Sequence, residues 1–103
     1  MEKLTFSFPG GAQSGAGHKA VTAGVVGSGQ LEVLIEPRAL DGTCVIHVES
    51  GAPGFGAIWE AVLTDFQARR GFSDVEISIN DGGATPAVVT LRLEQAAEEF
   101  LAS

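Results

Sequence analysis

The chain has one cysteine, no tyrosine and only six basic side chains in 103 residues. A single cysteine, Cys44, excludes an internal disulfide and any multi-cysteine zinc site. Six Lys and Arg against thirteen Asp and Glu give a formal charge of −7. That argues against a nucleic-acid partner, because phosphates must be met by positive charge. It argues equally against an anionic membrane surface. No apolar run is long enough to span a bilayer. The opening Met1-Glu2-Lys3-Leu4-Thr5-Phe6 lacks a basic region followed by a long apolar stretch, so no signal peptide is expected and a cytoplasmic location is the default. Two histidines with no triad visible by spacing leave no catalytic or metal site to expect. A carrier or binding subunit suits such a chain better than a free-standing enzyme.

What is present suffices for one folded unit. Hydrophobic residues make up 45 % of the chain, and a chain of this size buries nearly two-thirds of its surface on folding, so one domain spanning residues 1–103 is expected. Leu4 to Phe8 alternates strictly and reads as a half-buried strand, stopped by Pro9-Gly10-Gly11. Residues 10–17 are mostly Gly, Ala and Ser, the composition of a flexible loop. Lys19 to Val26 and Leu31 to Ile35 read as two strands joined by a Gly27-Ser28-Gly29 tip, with Glu36-Pro37 ending the second. Cys44 to Val48 reads as a further strand, dense in β-branched residues, and its inward set is either Cys44, Ile46 and Val48 or Val45 with its neighbours.

At Phe55 the period changes to 3.6. Phe55, Ile58, Trp59, Val62, Leu63 and Phe66 fall on one helical face, Gln67 and Arg69 fall elsewhere, and Arg69-Arg70-Gly71 closes the helix. Val75 to Ile79 alternates again. Thr85-Pro86 is an N-cap followed by proline at the first helical position, opening a helix with Val89, Leu93, Ala96 and Phe100 on one face. Ala87 to Leu93 alone would also pass for a strand. The order β-β-β-β-α-β-α predicts an α+β fold: a mostly antiparallel sheet of about five strands with two helices packed on one face.

One charge pattern stands apart. From Leu4 to Leu31 there is no Asp or Glu, and the only titratable side chains are His18 and Lys19; seven of the fourteen glycines lie there too. An acid-free, glycine-rich surface receives an anionic group with little like-charge repulsion. Ser28 sits inside it between Gly27 and Gly29, small neighbours that leave its hydroxyl accessible. From composition alone, Gly-Ser-Gly is more simply a tight turn. Val26-Gly27-Ser28-Gly29-Gln30 lacks nucleophile-elbow spacing, and no Gly-Lys-Ser/Thr follows to make a P-loop. Cys44 reads as a buried inert thiol and Trp59 as core. His18 and His47 read as surface or structural histidines, and Glu94, Glu98 and Glu99 as a solvated face or else a docking patch for a basic partner.

The segment Ala23-Gly24-Val25-Val26-Gly27-Ser28-Gly29-Gln30-Leu31-Glu32-Val33-Leu34 resembles the acyl carrier (delta subunit) family of biotin-independent malonate decarboxylases. The resemblance runs through nearly the whole chain. It includes Leu4-Thr5-Phe6-Ser7-Phe8-Pro9, the Trp59-centred helix and Gly83-Ala84-Thr85-Pro86 leading into Leu91-Arg92-Leu93-Glu94-Gln95. It implies a covalent 2′-(5″-phosphoribosyl)-3′-dephospho-coenzyme A on Ser28, flanked by Gly27 and Gly29. The thiol of that arm carries acetyl and malonyl as thioesters. The partners implied are the transferase (alpha) subunit, the decarboxylase (beta and gamma) subunits, a malonyl transacylase and the enzyme that attaches the prosthetic group. The delta subunit itself cleaves no bond.

Two positions depart from the pattern. Gln30 stands where an acidic residue is expected, which bears on recognition by the attaching enzyme; Asn80-Asp81-Gly82 stands where an aromatic near position 82 is expected, which bears on packing or docking. The serine setting also differs from the Asp-Ser-Leu helix start of phosphopantetheine carriers. Two other readings compete: an acidic module that recruits a basic partner non-covalently, and a small hydrolase pairing Ser28 with His18 or His47.

Overall fold

Alternation of apolar and polar side chains gives a sheet with one buried face, and helices with one apolar stripe cover it. The computed structural model, which describes residues 1–24 and 31–103, has this form. Strand β1 (Glu2–Phe8) is followed by short β2 (Gln13–Ser14), β3 (Val21–Ala23), β4 (Leu31–Pro37) and β5 (Cys44–Ser50). Helix α1 (Gly56–Arg70), short β6 (Phe72–Ser73), β7 (Val75–Asp81) and helix α2 (Pro86–Leu101) complete the chain.

The main sheet has the order β1-β5-β7-β4-β3. All its pairs are antiparallel except β5 with β7, which runs parallel from Cys44↔Val75 to Ser50↔Asp81. Parallel neighbours need a crossover, and α1 provides it. Leu31, Val33 and Ile35 of β4, Cys44, Ile46 and Val48 of β5, and Val75, Ile77 and Ile79 of β7 all point into the core. The inward set of β5 is thus the one beginning at Cys44. Helix α2 lies over β3 and β4, and α1 packs against α2 and β1. Phe72 and Phe100 meet edge to face at 5.8 Å, joining the short strand β6 to the second helix.

Both helix ends follow from local chemistry. Gly71 adopts φ +61°, and its N–H donates to the Gln67 carbonyl at 2.7 Å, closing α1. The Thr85 hydroxyl accepts from the Val88 N–H, with Pro86 behind it, opening α2.

Several sequence expectations are corrected. Residues 10–17 are not a flexible loop. Gln13–Ser14 pairs parallel with Phe72–Ser73, and the N–H groups of Gln13 and Gly15 donate to the Gly71 and Ser73 carbonyls at 2.9 and 2.8 Å. A Cβ at Gly11 would come within 2.7 Å of the Gly71 backbone, so glycine is there for close approach. The strand expected over Lys19–Val26 covers only Val21–Ala23 among the described residues; Gly24 at φ +103° leaves the extended region. The hairpin pairing of β3 with β4 is as expected, whereas the Gly27-Ser28-Gly29 tip lies outside the described residues.

The α1 stripe is narrower than its periodicity implied. Phe55 caps the helix rather than joining it, and Phe55 and Ile58 are 46 % and 45 % exposed. Gln67, expected off the apolar face, is instead buried among Trp59, Leu63 and Phe66.

Candidate functional site

Strands β3 and β4 hold the two ends of the serine-bearing segment. Ala23 pairs with Val33, Gly24 turns away, and the described chain resumes at Leu31, which pairs with Asp81 at the end of β7. The crossing at Gly24 is tight: an added Cβ would lie 2.1 Å from the Leu31 carbonyl oxygen and 3.2 Å from Arg92 Cδ. Gly27, Ser28, Gly29 and Gln30 lie outside the described residues.

The surroundings of this neck are built by α2 and the β7 turn. Asp81, in the stretch where the family pattern departs, is only 8 % exposed. Its Oδ2 accepts from the Ser50 hydroxyl at 2.9 Å, and its Oδ1 accepts from the N–H groups of Gly83 and Ala84 at 2.9 and 2.7 Å. Asp81 thus fixes the turn leading to the α2 N-cap as a satisfied buried carboxylate. Beside it opens an apolar groove of about 370 Å³, walled by Phe55, Ile58, Trp59, Val62, Pro86 and Val89. Trp59 is buried as expected, and it also forms part of this wall.

The other singled-out residues are dispersed. Cys44 is fully buried, and burial pushes its thiol up to about 12, so it stays protonated. His18 stacks on Phe100 with ring centroids 5.0 Å apart. His47 lies on the outer face of the sheet, with Nδ1 3.2 Å from the exposed Thr5 hydroxyl and Nε2 3.2 Å from Glu76 Oε2. Arg38 takes the other oxygen of Glu76 at 3.0 Å. The two histidines therefore serve separate environments.

Glu94 is not part of a solvated face, as its sequence position implied. It lies between Arg69 and Arg70, and Arg70 also reaches Glu98 at 3.1 Å. Burial opposes ionisation of Glu94, but hydrogen bonds and charge from the two arginines outweigh it and hold the carboxyl below the usual glutamate value. Two of the three α2 carboxylates are thus committed within the molecule.

Gln67 and Arg92 escaped the sequence reading. Gln67 Nε2 donates to the Phe72 carbonyl at 2.8 Å, and the Pro9 carbonyl lies at 3.3 Å; its Oε1 accepts from the Phe72 N–H. A polar residue at helical spacing gives no such signal, because its partners are backbone groups of other segments. Arg92 matters because Gly24 lies beneath it, a relation made only by folding.

These features define a class: a small two-layer α+β body whose sequence has a glycine-flanked serine between two of its strands. Comparison with known proteins makes this particular. Residues 18–100 match the family model described as malonate decarboxylase delta subunit (MdcD). The malonate decarboxylase acyl carrier protein of Stenotrophomonas maltophilia (strain R551-3) is 52 % identical over 98 % of this chain and 95 % of its own. That of Xanthomonas euvesicatoria pv. vesicatoria is 58 % identical over 95 % and 93 %. A chain in the crystal structure of a Pseudomonas malonate decarboxylase hetero-tetramer in complex with malonate superposes with a TM-score of 0.83 at 43 % identity, covering 97 % of this chain and 99 % of that one. The chain belongs to the malonate decarboxylase delta subunit family.

Proposed function

We propose that this chain is the acyl carrier subunit of a malonate decarboxylase, holding its acyl group on a coenzyme-A-derived arm attached to Ser28. The observation that carries the proposal is the near full-length match to acyl carrier proteins of that enzyme, in a chain whose Gly27-Ser28-Gly29 falls between β3 and β4 in sequence. The fit of the arm rests on charge. The stretch from Leu4 to Leu31 holds no carboxylate, and Arg92 lies across its neck. A polyanionic group meets a cation there, without like-charge repulsion.

In this reading Ser28 provides the attachment oxygen, with Gly27 and Gly29 giving the attaching enzyme room. The group proposed is 2′-(5″-phosphoribosyl)-3′-dephospho-coenzyme A, and when bound it supplies a terminal thiol for acetyl and malonyl thioesters. The chain's own residues do no bond cleavage. They hold the anchor on a packed body and present it to the transferase, to the decarboxylase pair and to a malonyl transacylase. Tethering converts each encounter into an intramolecular one, with effective concentrations of roughly millimolar for a short flexible link.

Co-expression with the attaching enzymes tests the proposal. Intact mass is expected to show one large addition on the wild type and none on Ser28→Ala, and the reconstituted complex with Ser28→Ala is expected to lose malonate turnover. An unmodified wild type, or full turnover with Ser28→Ala, would overturn it. Full turnover is the result that the non-covalent acidic module requires.

A further inference from the structure

We propose that Thr5 is an acyl-acceptor hydroxyl, activated by His47 and Glu76 on the outer face of the sheet, which takes its acyl group from a small acyl thioester. The proposal is independent of the carrier reading: no residue between Val25 and Gln30 takes part, and the transfer is a single stoichiometric event on this chain.

Strand register brings the three side chains together. Alternation turns Leu4 and Phe6 of β1, Ile46 and Val48 of β5, and Val75 and Ile77 of β7 to the core, so Thr5, His47 and Glu76 fall on the other face. Thr5 lies directly across from His47 in the β1–β5 pair. In the parallel β5–β7 pair Glu76 is opposite Val45, one diagonal step from His47. Thr5 Oγ1 is 3.2 Å from His47 Nδ1, and His47 Nε2 is 3.2 Å from Glu76 Oε2. Arg38 Nε holds the other Glu76 oxygen at 3.0 Å. Ser7, equally exposed on the same face of β1, lies across from Val45 and has no base opposite it.

The order of these contacts decides the tautomer. An ionised carboxylate can only accept, so the bond to Glu76 places the imidazole proton on Nε2. Nδ1 then carries the lone pair, and the Thr5 hydroxyl donates to it. A hydroxyl, a base within reach of it and a carboxylate that orients the base are the parts of an activated oxygen nucleophile. Thr5 is exposed, which leaves its oxygen open to an arriving carbonyl. Glu76 is a positioning residue here, because it acts through the imidazole.

In the step itself, Thr5 Oγ bonds to the acyl carbon while its proton passes to His47 Nδ1. The carbon–sulfur bond breaks, and the departing sulfur takes that proton to become a thiol. The products are a Thr5 ester and a free thiol, with the imidazole neutral again. A thiol, with a pKa of about 8.5, leaves far more readily than an alcohol. A thioester therefore suits a site whose acid is the imidazolium just formed.

The test incubates the full chain, expressed without the attaching enzymes, with the acetyl thioester of N-acetylcysteamine. Peptide mass mapping locates the acetyl group, and hydroxylamine separates a labile ester from stable amides on Lys3 and Lys19. Wild type is expected to form the ester at Thr5 at least about tenfold faster than at Ser7, and His47→Gln to slow it about a hundredfold. Thr5→Ser is expected to keep the reaction at position 5, Thr5→Val to lose it, and Ser7→Ala to leave it unchanged. Glu76→Gln is expected to slow it about tenfold or more and to move the His47 ring-nitrogen resonances away from the Nε2-protonated form. Acetylation confined to amines, or a Thr5 ester formed equally fast in His47→Gln, overturns the proposal. Should His47→Gln fail to fold, the Thr5-to-Ser7 rate ratio and the ring-nitrogen resonances of wild type still decide.

Discussion

Gly24 is a position at which a single methyl group meets both an unfavourable backbone angle and a close backbone neighbour. Its φ of +103° disfavours any side chain, and the Leu31 carbonyl would stand 2.1 Å from the new carbon. Gly24→Ala is expected to cost about 1–3 kcal/mol in urea denaturation, with the β3–β4 pairing the first contact to weaken. Gln67 is the polar counterpart. Gln67→Leu would leave the Phe72 N–H and carbonyl without their side-chain partner in a buried site, a loss of about 1–3 kcal/mol by the same measurement. Legibility at this scale divides along a physical line. Thr85 and Gly71 could be read because capping depends on neighbours a few positions away. Gln67 and Arg92 could not, since their roles depend on backbone that reaches them only through the fold. Asp81 could be noticed as unusual, but its bond to Ser50 could not be foreseen.

Between elements, the last turn of α1 is fastened to the middle of α2 by Arg69, Arg70 and Glu94. Because Glu94 is held below its ordinary value in the folded chain, its contribution is complete above the unfolded glutamate pKa of about 4.3. It is lost as pH falls through the lower folded value. Glu94→Gln is therefore expected to lower stability by about 1 kcal/mol at neutral pH. The difference from wild type should close on acidification, as read by thermal midpoints across a pH series. The strands themselves were legible wherever one face is buried, because alternation then records the core. The paired segments Gln13–Ser14 and Phe72–Ser73 left no such record. They are held by backbone groups that carry no sequence signature, so a glycine-rich stretch that reads as loose is in fact packed. The narrowing of the α1 stripe has a related cause: periodicity shows which residues share a face, but Phe55 and Ile58 lie beyond the surface that α2 and the sheet cover.

For the molecule as a whole, two carboxyls held below their ordinary values favour the folded chain above the acid range. Backbone N–H groups of Leu40 and Gly42, each 2.9 Å from Asp74 Oδ1, hold that carboxyl below its usual value. Asp74 acts with the same sign as Glu94. Unfolding on acidification is thus expected to begin below the ordinary carboxylate range and to be reversed by raising the pH. The α+β architecture was legible because pattern and period suffice to assign layers, while the strand order β1-β5-β7-β4-β3 depends on α1 carrying the chain from β5 to a parallel partner, which no local signal specifies. The family was legible in the Val-Val-Gly-Ser-Gly and Gly-Ala-Thr-Pro segments, whereas the close approach of Arg92 to Gly24 was not. The groove wall has a practical result. With one tryptophan and no tyrosine in the chain, Trp59 is the sole indole chromophore, seated 5 % exposed where α1 and α2 meet. The chain therefore comes with its own optical gauge: emission should lie to the blue while that wall is intact and move to the red as acid opens it.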